Sequence, residues 1–486
     1  MDSFILCGMQ FGDEGKGTFV DYLAHEQNID CVVRYNGGSQ ASHTVITPSK
    51  IIHKFSQLGS GMFLDKCHTY ITENMVINLD NLIVEMEVFS EKTGISIPDL
   101  MDRIHIHENC FVVTPYHKLI NKLRELSKGE NRRGTVGTGV SEVKYLLTES
   151  KCFMYEQPLG LQVKDIFNPY CNNLIIGRLE ALQNYVSEFY RENEDVIWQN
   201  TPEEMKESLK KEIAFLLAPK AFLNIVSGYV TKFKQLPQDV NFNKCIYNAY
   251  ELSLRKNCKS AIFEGSQGIL IDGNYGIKPN TTFLDTTIQF ALDISHYKDH
   301  ITKVGIAKAF TSRHGLGVFP TETTEVSSRI CDNNQEESFW NGKIRFGWFD
   351  AILFRYAQNI NQVDELYLSS LDKLDGFDTI KVCNEYYYNG IADEKFNRLF
   401  SYSTLPDRQI VITDIKEDSE DLGMYLEKCI PKYIVVKGWK RDISNVSNKN
   451  SLPTECLEYI ALLERLTNLH IAIVSVGATR ENKIRM

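Results

Sequence analysis

The chain opens on an apolar run, FILCGMQF, that ends in the glycine cluster GMQFGDEGKGT and passes into TFVDYLAHEQ, whose apolar residues fall at helical spacing. The opening run barely alternates, so it predicts a strand buried on both faces, as in a parallel sheet. CVVRYNGG predicts the next buried strand, closed by a turn. Strand, glycine loop, helix and strand make a βαβ unit. The same kind of run recurs in SAIFEGSQG, KVGIAKAFTSR, ELYLSSLDKLDG, YIVVKGW and HIAIVSVG, each ended by polar or glycine-rich residues. The expectation is an α/β protein with one large, mostly parallel central sheet flanked by helices. Its functional loops should lie past the strand C-termini.

Two helices are marked by their ends. YHKLINKLRELSKG should stop at Gly129, and TPEEMKESLKKEIAFLL should start with Thr201 as N-cap, Pro202 at the first helical position and Glu204 closing a capping box. Residues from about 160 to 258 read as a helical excursion, and about 384 to 430, which lack strong periodicity, as an insertion. With no repeat and no low-complexity linker, residues 1–486 read as a single domain carrying these elaborations.

Charge narrows the partners. Lys plus Arg number 53 and Asp plus Glu 63, a formal net charge of −10. That acidity argues against tight non-specific binding to nucleic acid or an anionic membrane, so any phosphate site must be local. The N-terminus has no basic leader, and no run of about 18 apolar residues occurs. The 12 cysteines never fall at C-x-x-C spacing, so reduced, buried thiols in a cytoplasmic protein are expected rather than a zinc or disulfide scaffold.

The glycine loop carries the first chemical signal. Gly8, Gly12, Gly15 and Gly17 let backbone N–H groups approach a phosphate at a helix N-terminus, and Lys16 adds a full charge. The loop is not a Walker A motif, because Gln10 stands where a glycine is needed, and it is not G-x-G-x-x-G. Asp13 and Glu14 would repel phosphate unless one of them binds Mg²⁺ or abstracts a proton. The second signal is RYNGGSQASHTV. A lone histidine is usually structural, but His43 follows the second predicted strand and so belongs beside the first loop. There an imidazole can act as an acid or stabilise charge.

GDEGKG after a strand, then VVRYNGG and SHT, resembles the adenylosuccinate synthetase family. FEGSQGILID, KAFTSRHGLGVFPTE, GWFDA, KLDGFDTIKVC, KYIVVKGW and AIVSVG continue the resemblance in order, from about residue 4 to 486. It implies the P-loop-like GTP-binding architecture of that family, a homodimer, and a reaction joining L-aspartate to C6 of IMP with GTP and Mg²⁺. The 6-oxygen is phosphorylated first, and the amine then displaces the phosphate. Asp13 would remove the N1 proton and bind the metal, together with the Ser42 carbonyl. His43 would stabilise charge at O6 and the moving phosphoryl group, with Lys16 and Gln267 completing the catalytic set. GTP would meet Gly12, Glu14, Gly15, Gly17, Thr18, Ser42, Thr44 and Arg345. Lys373 and Asp375 would hold the guanine, Asp375 accepting from N1 and N2, which adenine cannot donate. Ser475 and Gly477 would close that pocket.

The departures gather at the acceptor and amine. Gln40 replaces an asparagine that contacts the nucleotide. Thr135 is kept in the phosphate loop, but Val136 replaces a threonine and loses its hydroxyl. Thr282 matches the family's other phosphate-binding threonine. No arginine near Ser150 answers to the one the family donates across its dimer. SFWNGKIRFGW replaces an arginine-rich segment, so Lys343 stands for the first arginine and Arg345 for the second. Lysine neutralises a carboxylate but cannot grip it bidentately. Two readings stay open: an adenylosuccinate synthetase with a rebuilt pocket, or a paralogue using another 6-oxopurine nucleotide or amino acid. A silent nucleotide-binding regulator is the third, and it leaves the retention of Asp13, Lys16, His43, Gln267 and Asp375 unexplained.

Overall fold

The computed structural model describes residues 3–132, 134–135, 137–149, 159–168, 170–229, 246–247, 258–295, 300–330, 339–340 and 342–486. It has the α/β architecture, with mostly parallel sheet flanked by helices. Two compact units divide it: residues 1–29, 43–54 and 260–486 form the first, and 30–42 and 55–259 the second.

In the first unit, β1 (Ser3–Gly8) lies between Ala261–Gly268 and Ile301–Lys308, with Glu365–Ser369 and Ile471–Ser475 beyond, all parallel. Lys483–Arg485 closes that edge antiparallel. Every residue of β1 is buried, as a strand covered on both faces requires. Helix α1 (Lys16–Glu26) packs Phe19, Val20 and Leu23 inward, and these three are at most 2% exposed. Three of the recurrent apolar runs are therefore neighbours of β1 or one strand further out, and a fourth, HIAIVSVG, lies one strand beyond those.

The fifth run, YIVVKGW, is not in this sheet. It forms Cys429–Lys437, paired antiparallel with Thr379–Tyr388 in a separate sheet that includes Ile410–Ile415, Phe400–Thr404 and Phe349–Asp350. Ile430 and Val435 are 50% and 56% exposed. An antiparallel sheet can leave one face wet, and a short apolar run does not reveal which kind of sheet will take it. Residues 384–430 supply the strands Phe400–Thr404 and Ile410–Ile415 of this sheet, parts of its two long strands, and the helices Glu394–Leu399 and Leu422–Leu426.

In the second unit, Ile246–Tyr247, Ile104–His107, His68–Ile71 and Cys31–Arg34 run parallel in that order. Helix Pro115–Ser127 is capped by Thr114, with His117 completing the box, and ends just before Gly129 as expected. The 160–258 stretch contributes the helices Asn172–Asn200, Glu203–Leu216 and Pro219–Ser227. Thr201 departs from its expected role. Its hydroxyl donates to the Ile197 carbonyl at 2.6 Å, and Glu203–Leu216 has no side-chain cap. The hydroxyl serves the helix it follows rather than the one it precedes, a competition open to any Thr at a helix boundary.

Nine described cysteines are free thiols, eight of them buried. Among the described residues no helix is long and apolar enough to cross a membrane.

Candidate active site

The glycine loop is braced from within. Glu14 accepts from the Gln10 and Gly12 amides at 3.0 and 2.7 Å, and its other oxygen pairs with the Lys16 ammonium at 2.7 Å. Both side chains are 1% exposed. Lys16 also donates to the Gly12 carbonyl. Glu14, expected against GTP, is thus a strut of the loop, with both oxygens committed. A Cβ on Gly8 would lie 2.5 Å from both Glu14 and the Gln267 carbonyl, so only glycine fits there. Gly15, at φ 78°, precedes α1 and no side chain caps the helix. The first-turn N–H groups are left for a ligand, as an anion site needs.

Asp13 stands at the loop's tip, 39% exposed at its side chain. Its Oδ2 lies 2.5 Å from the Lys308 ammonium and 3.4 Å from the Ser312 hydroxyl, and Lys308 also donates to Ser312. Gln10 fixes the end of the Lys308 strand. Its amide oxygen accepts from the Lys308 N–H at 3.1 Å, and its NH₂ donates to the Phe310 carbonyl at 3.0 Å. Burial pushes the Asp13 carboxyl up, but the Lys308 ammonium, with His314 and Lys16, outweighs it and leaves the pKa below the usual carboxylate value. Asp13 is therefore ionised at neutral pH, and no described residue engages Oδ1.

His43 begins the strand His43–Ile46, and its Nδ1 sits 2.5 Å from Oε1 of Glu264, whose side chain is fully buried. Gln267, three residues on from Glu264, is held at φ 64°, and its side-chain oxygen is buried without a hydrogen-bond partner among the described residues. A left-handed non-glycine residue with an orphaned acceptor is the kind of strain found at ligand sites.

The LDKLDG segment follows Glu365–Ser369. Asp375 commits both oxygens inside the protein, Oδ1 to the Trp439 indole N–H at 2.6 Å and Oδ2 to the Ile443 N–H at 3.0 Å. Asp372, one turn earlier, has a 3.8 Å ion pair to Lys373, and its carboxylate accepts no hydrogen bond from another described residue. Burial raises its pKa. The carboxylate of this segment with acceptors to offer is thus Asp372 rather than Asp375, which was expected against the guanine. Lys373 is half exposed. The Ser475 hydroxyl donates to the Gly477 carbonyl at 2.8 Å, and Lys483 donates to the Gly477 and Thr479 carbonyls. Thr18 on α1 donates to the Ala478 carbonyl at 3.2 Å, tying the glycine loop's helix to this turn.

Two arginines face each other across the ribbon Thr311–His314 and Ile344–Gly347, where Arg313 pairs with Arg345. Together they hold four successive carbonyls. Arg345 takes Gly315 and Gly317, each at 2.8 Å, and Arg313 takes Leu316 at 3.1 Å and Val318 at 2.6 Å. Arg345 also pairs with Glu322 at 2.7 Å. Each of its three nitrogens therefore already serves a partner in the protein, which leaves one unassigned N–H on each of the two terminal nitrogens. Lys343 is exposed, and Thr282 uses its hydroxyl to accept from the Leu284 N–H.

In the second unit, Gln40 has a buried side-chain oxygen without a partner among the described residues, while the Thr135 hydroxyl donates to Asn121 at 3.2 Å. Ser42 is exposed at that unit's edge; Thr44 lies half-buried in His43–Ile46. Val136 and Ser150 lie outside the described residues. Among the described residues no group of three or more His, Cys, Asp or Glu could hold a metal ion. Sequence reasoning missed Lys308, Glu264 and Asp372, although all three lie in runs it had singled out.

A family model described as adenylosuccinate synthetase matches residues 5–484. The adenylosuccinate synthetase of Trichodesmium erythraeum is 31% identical over 488 residues, covering 100% of this chain and 96% of its own. That of Clostridium kluyveri is 28% identical over 495 residues, covering 100% and 99%. Among solved structures, the fully ligated adenylosuccinate synthetase of Plasmodium falciparum matches with a TM-score of 0.69 at 22% identity, covering 100% of this chain and 99% of that one. The cyanophage S-2L succinoaminodeoxyadenylate synthetase, bound to dGMP and dATP as an energy donor, matches at 0.54 and 12% identity, covering 100% and 95%. Both structural likenesses are likenesses of fold. The chain belongs to the adenylosuccinate synthetase family, a family of GTP-using carbon–nitrogen ligases of purine biosynthesis.

Proposed function

We propose that the protein joins L-aspartate to C6 of IMP at the expense of GTP, giving adenylosuccinate. The observation that carries this reading is the set of three close side-chain pairs in the first unit: Asp13 with Lys308, Lys16 with Glu14, and His43 with Glu264. A purine 6-oxygen is a poor leaving group and must be activated. Asp13, ionised and with Oδ1 available, takes the N1 proton, which makes O6 nucleophilic. O6 then captures the γ-phosphoryl group as its bond to GDP breaks. The aspartate amine adds at C6, the C6–O6 bond breaks, and phosphate leaves. His43 and Lys16 favour the negative charge that develops during phosphoryl transfer.

Mg²⁺ suits this donor set. A hard cation that prefers one or two carboxylates plus substrate phosphates needs no cage of protein ligands. Asp13 would hold it from the first unit. When bound, it supplies positive charge to the phosphate oxygens. For the guanine, Asp372 replaces Asp375 as the proposed reader of N1 and N2, because Asp375 is committed to Trp439 and Ile443. Gln40, Thr135 and Thr282 remain the proposed nucleotide contacts, and Lys343 the proposed contact for the amino acid's carboxylate.

A second reading keeps the chemistry and changes the acceptor. Gln40 and Lys343 favour it, and the dGMP-bound cyanophage enzyme shares the fold. One assay separates the two: phosphate release from GTP with IMP, GMP or dGMP, each with aspartate or another amino acid. Turnover with IMP and aspartate, dependent on Mg²⁺, supports the first reading. Turnover only with another pair replaces it, and none with any pair leaves the silent regulator.

A further inference from the structure

Glu264 is a carboxylate in the middle of the strand Ala261–Gly268, opposite Leu6 of β1 and 0% exposed. Burying an ionised carboxylate in a sheet is expensive, and a buried ion pair is commonly no more stabilising than apolar residues of the same volume. Packing alone therefore gives little reason for an acid here. Its partner is specific: Oε1 meets Nδ1 of His43 at 2.5 Å. His43 starts a short strand whose neighbour in its sheet is Ile52–Phe55, so the backbone places the residue without fixing the ring. With Nδ1 committed, any hydrogen bond His43 makes to a ligand runs through Nε2.

We infer that Glu264 is the positioning residue for His43. It keeps a proton on Nδ1, sets the plane of the ring, and so aims Nε2 at the reacting oxygen, to which the ring donates when Nε2 also carries a proton. The inference rests on the proposed reading of His43 as a participant in the reaction, and it adds a residue to that reading. A carboxylate that holds a histidine in one tautomer acts on rate rather than on binding.

The test is a double-mutant cycle with Glu264→Gln, which is nearly isosteric, and His43→Gln. Glu264→Gln should lower kcat on the order of 10²-fold while KM for GTP and for the purine nucleotide stays within about threefold. In the His43→Gln background it should cost nothing further, since a residue that acts through another has no effect once that other is gone. Losses that multiply across the cycle would show an independent structural role and overturn the proposal. Nitrogen-15 NMR of His43 in the unliganded protein gives a readout free of turnover. Wild-type His43 should carry its proton on Nδ1, and Glu264→Gln should shift the population toward Nε2–H. A wild-type Nε2–H tautomer overturns the proposal even if the variant fails to fold. Should the wild-type protein turn over no nucleotide, the proposed function falls, and the NMR result still decides whether Glu264 sets the tautomer.

Discussion

Asp13 and Lys308 lie 295 positions apart in sequence and 2.5 Å apart in space. Lys308 is 9% exposed, and its own backbone is gripped by Gln10, so the ammonium is a fixed charge rather than a flexible one. It saturates one oxygen of Asp13 and leaves the other to meet a proton or a metal. The same charge lowers the carboxyl's pKa against the pull of burial. Asp13 is thus a weaker base than a free carboxylate, but one that stays charged at neutral pH.

Replacing Asp13 with Asn removes the proton acceptor and keeps the shape. Turnover should fall by on the order of 10²-fold or more, the usual worth of a positioned general base. The circular dichroism spectrum should not change, because Asn retains an oxygen for Lys308. Steady-state phosphate release measures the effect, and a variant within threefold of the wild-type rate removes Asp13 from the mechanism.

Asp372 and Asp375 separate by the kind of damage they cause. Asp372→Asn should weaken discrimination between GTP and ATP without altering the melting temperature. Asp375→Ala strands the buried Trp439 indole N–H and the Ile443 N–H, at about 1–3 kcal/mol for each donor left unpaired. That variant should melt several degrees lower. If instead Asp375→Ala changes nucleotide preference at full stability, the base is read by Asp375 after all.

What the sequence disclosed was local. The strand, glycine loop and helix around residues 3–26 are contiguous, so their spacing alone predicted β1 and α1. The partners were out of reach because tertiary contacts join distant segments: Glu264 meets His43 across 221 positions. Asp372 and Asp375 sit in one LDKLDG segment, and which carboxylate is free depends on a tryptophan 64 residues beyond. YIVVKGW failed for another reason. A short apolar run does not say whether its neighbours will be parallel or antiparallel.

Arg345 should behave as a loop clamp. It holds the Gly315 and Gly317 carbonyls and Glu322, while Arg313 holds the alternate carbonyls. Arg345→Met removes half of the grip. Hydrogen exchange should then rise by about tenfold or more across residues 315–322, as loss of charge-assisted bonds worth roughly 1.5–3 kcal/mol each frees the loop. Exchange at Ala261–Gly268, in the sheet, should not change. Unaltered exchange in the loop would mean that Arg313 holds it alone.

Asp350 caps the helix Ala351–Asn361 through the Ile352 and Leu353 N–H groups and accepts from the Tyr386 hydroxyl at 2.5 Å. Burial raises its carboxyl to about 6, against the smaller opposing effect of those hydrogen bonds. An unfolded aspartate titrates near ~3.9. Between these two values the folded state holds the proton and the unfolded state has lost it. The contribution to stability therefore declines as pH rises from about 4 through 6 and is flat above, by roughly 2–3 kcal/mol in all. Asp350→Asn keeps the oxygen that serves Ile352 and Leu353 and has no proton to lose. The difference in urea unfolding free energy between wild type and Asp350→Asn should shift in the variant's favour as pH rises from 4 to 6.5. At neutral pH the variant should be no less stable than wild type. A pH-independent difference would mean that Asp350 ionises as it does in the unfolded chain, so that Tyr386 and the two helix amides fully offset its burial.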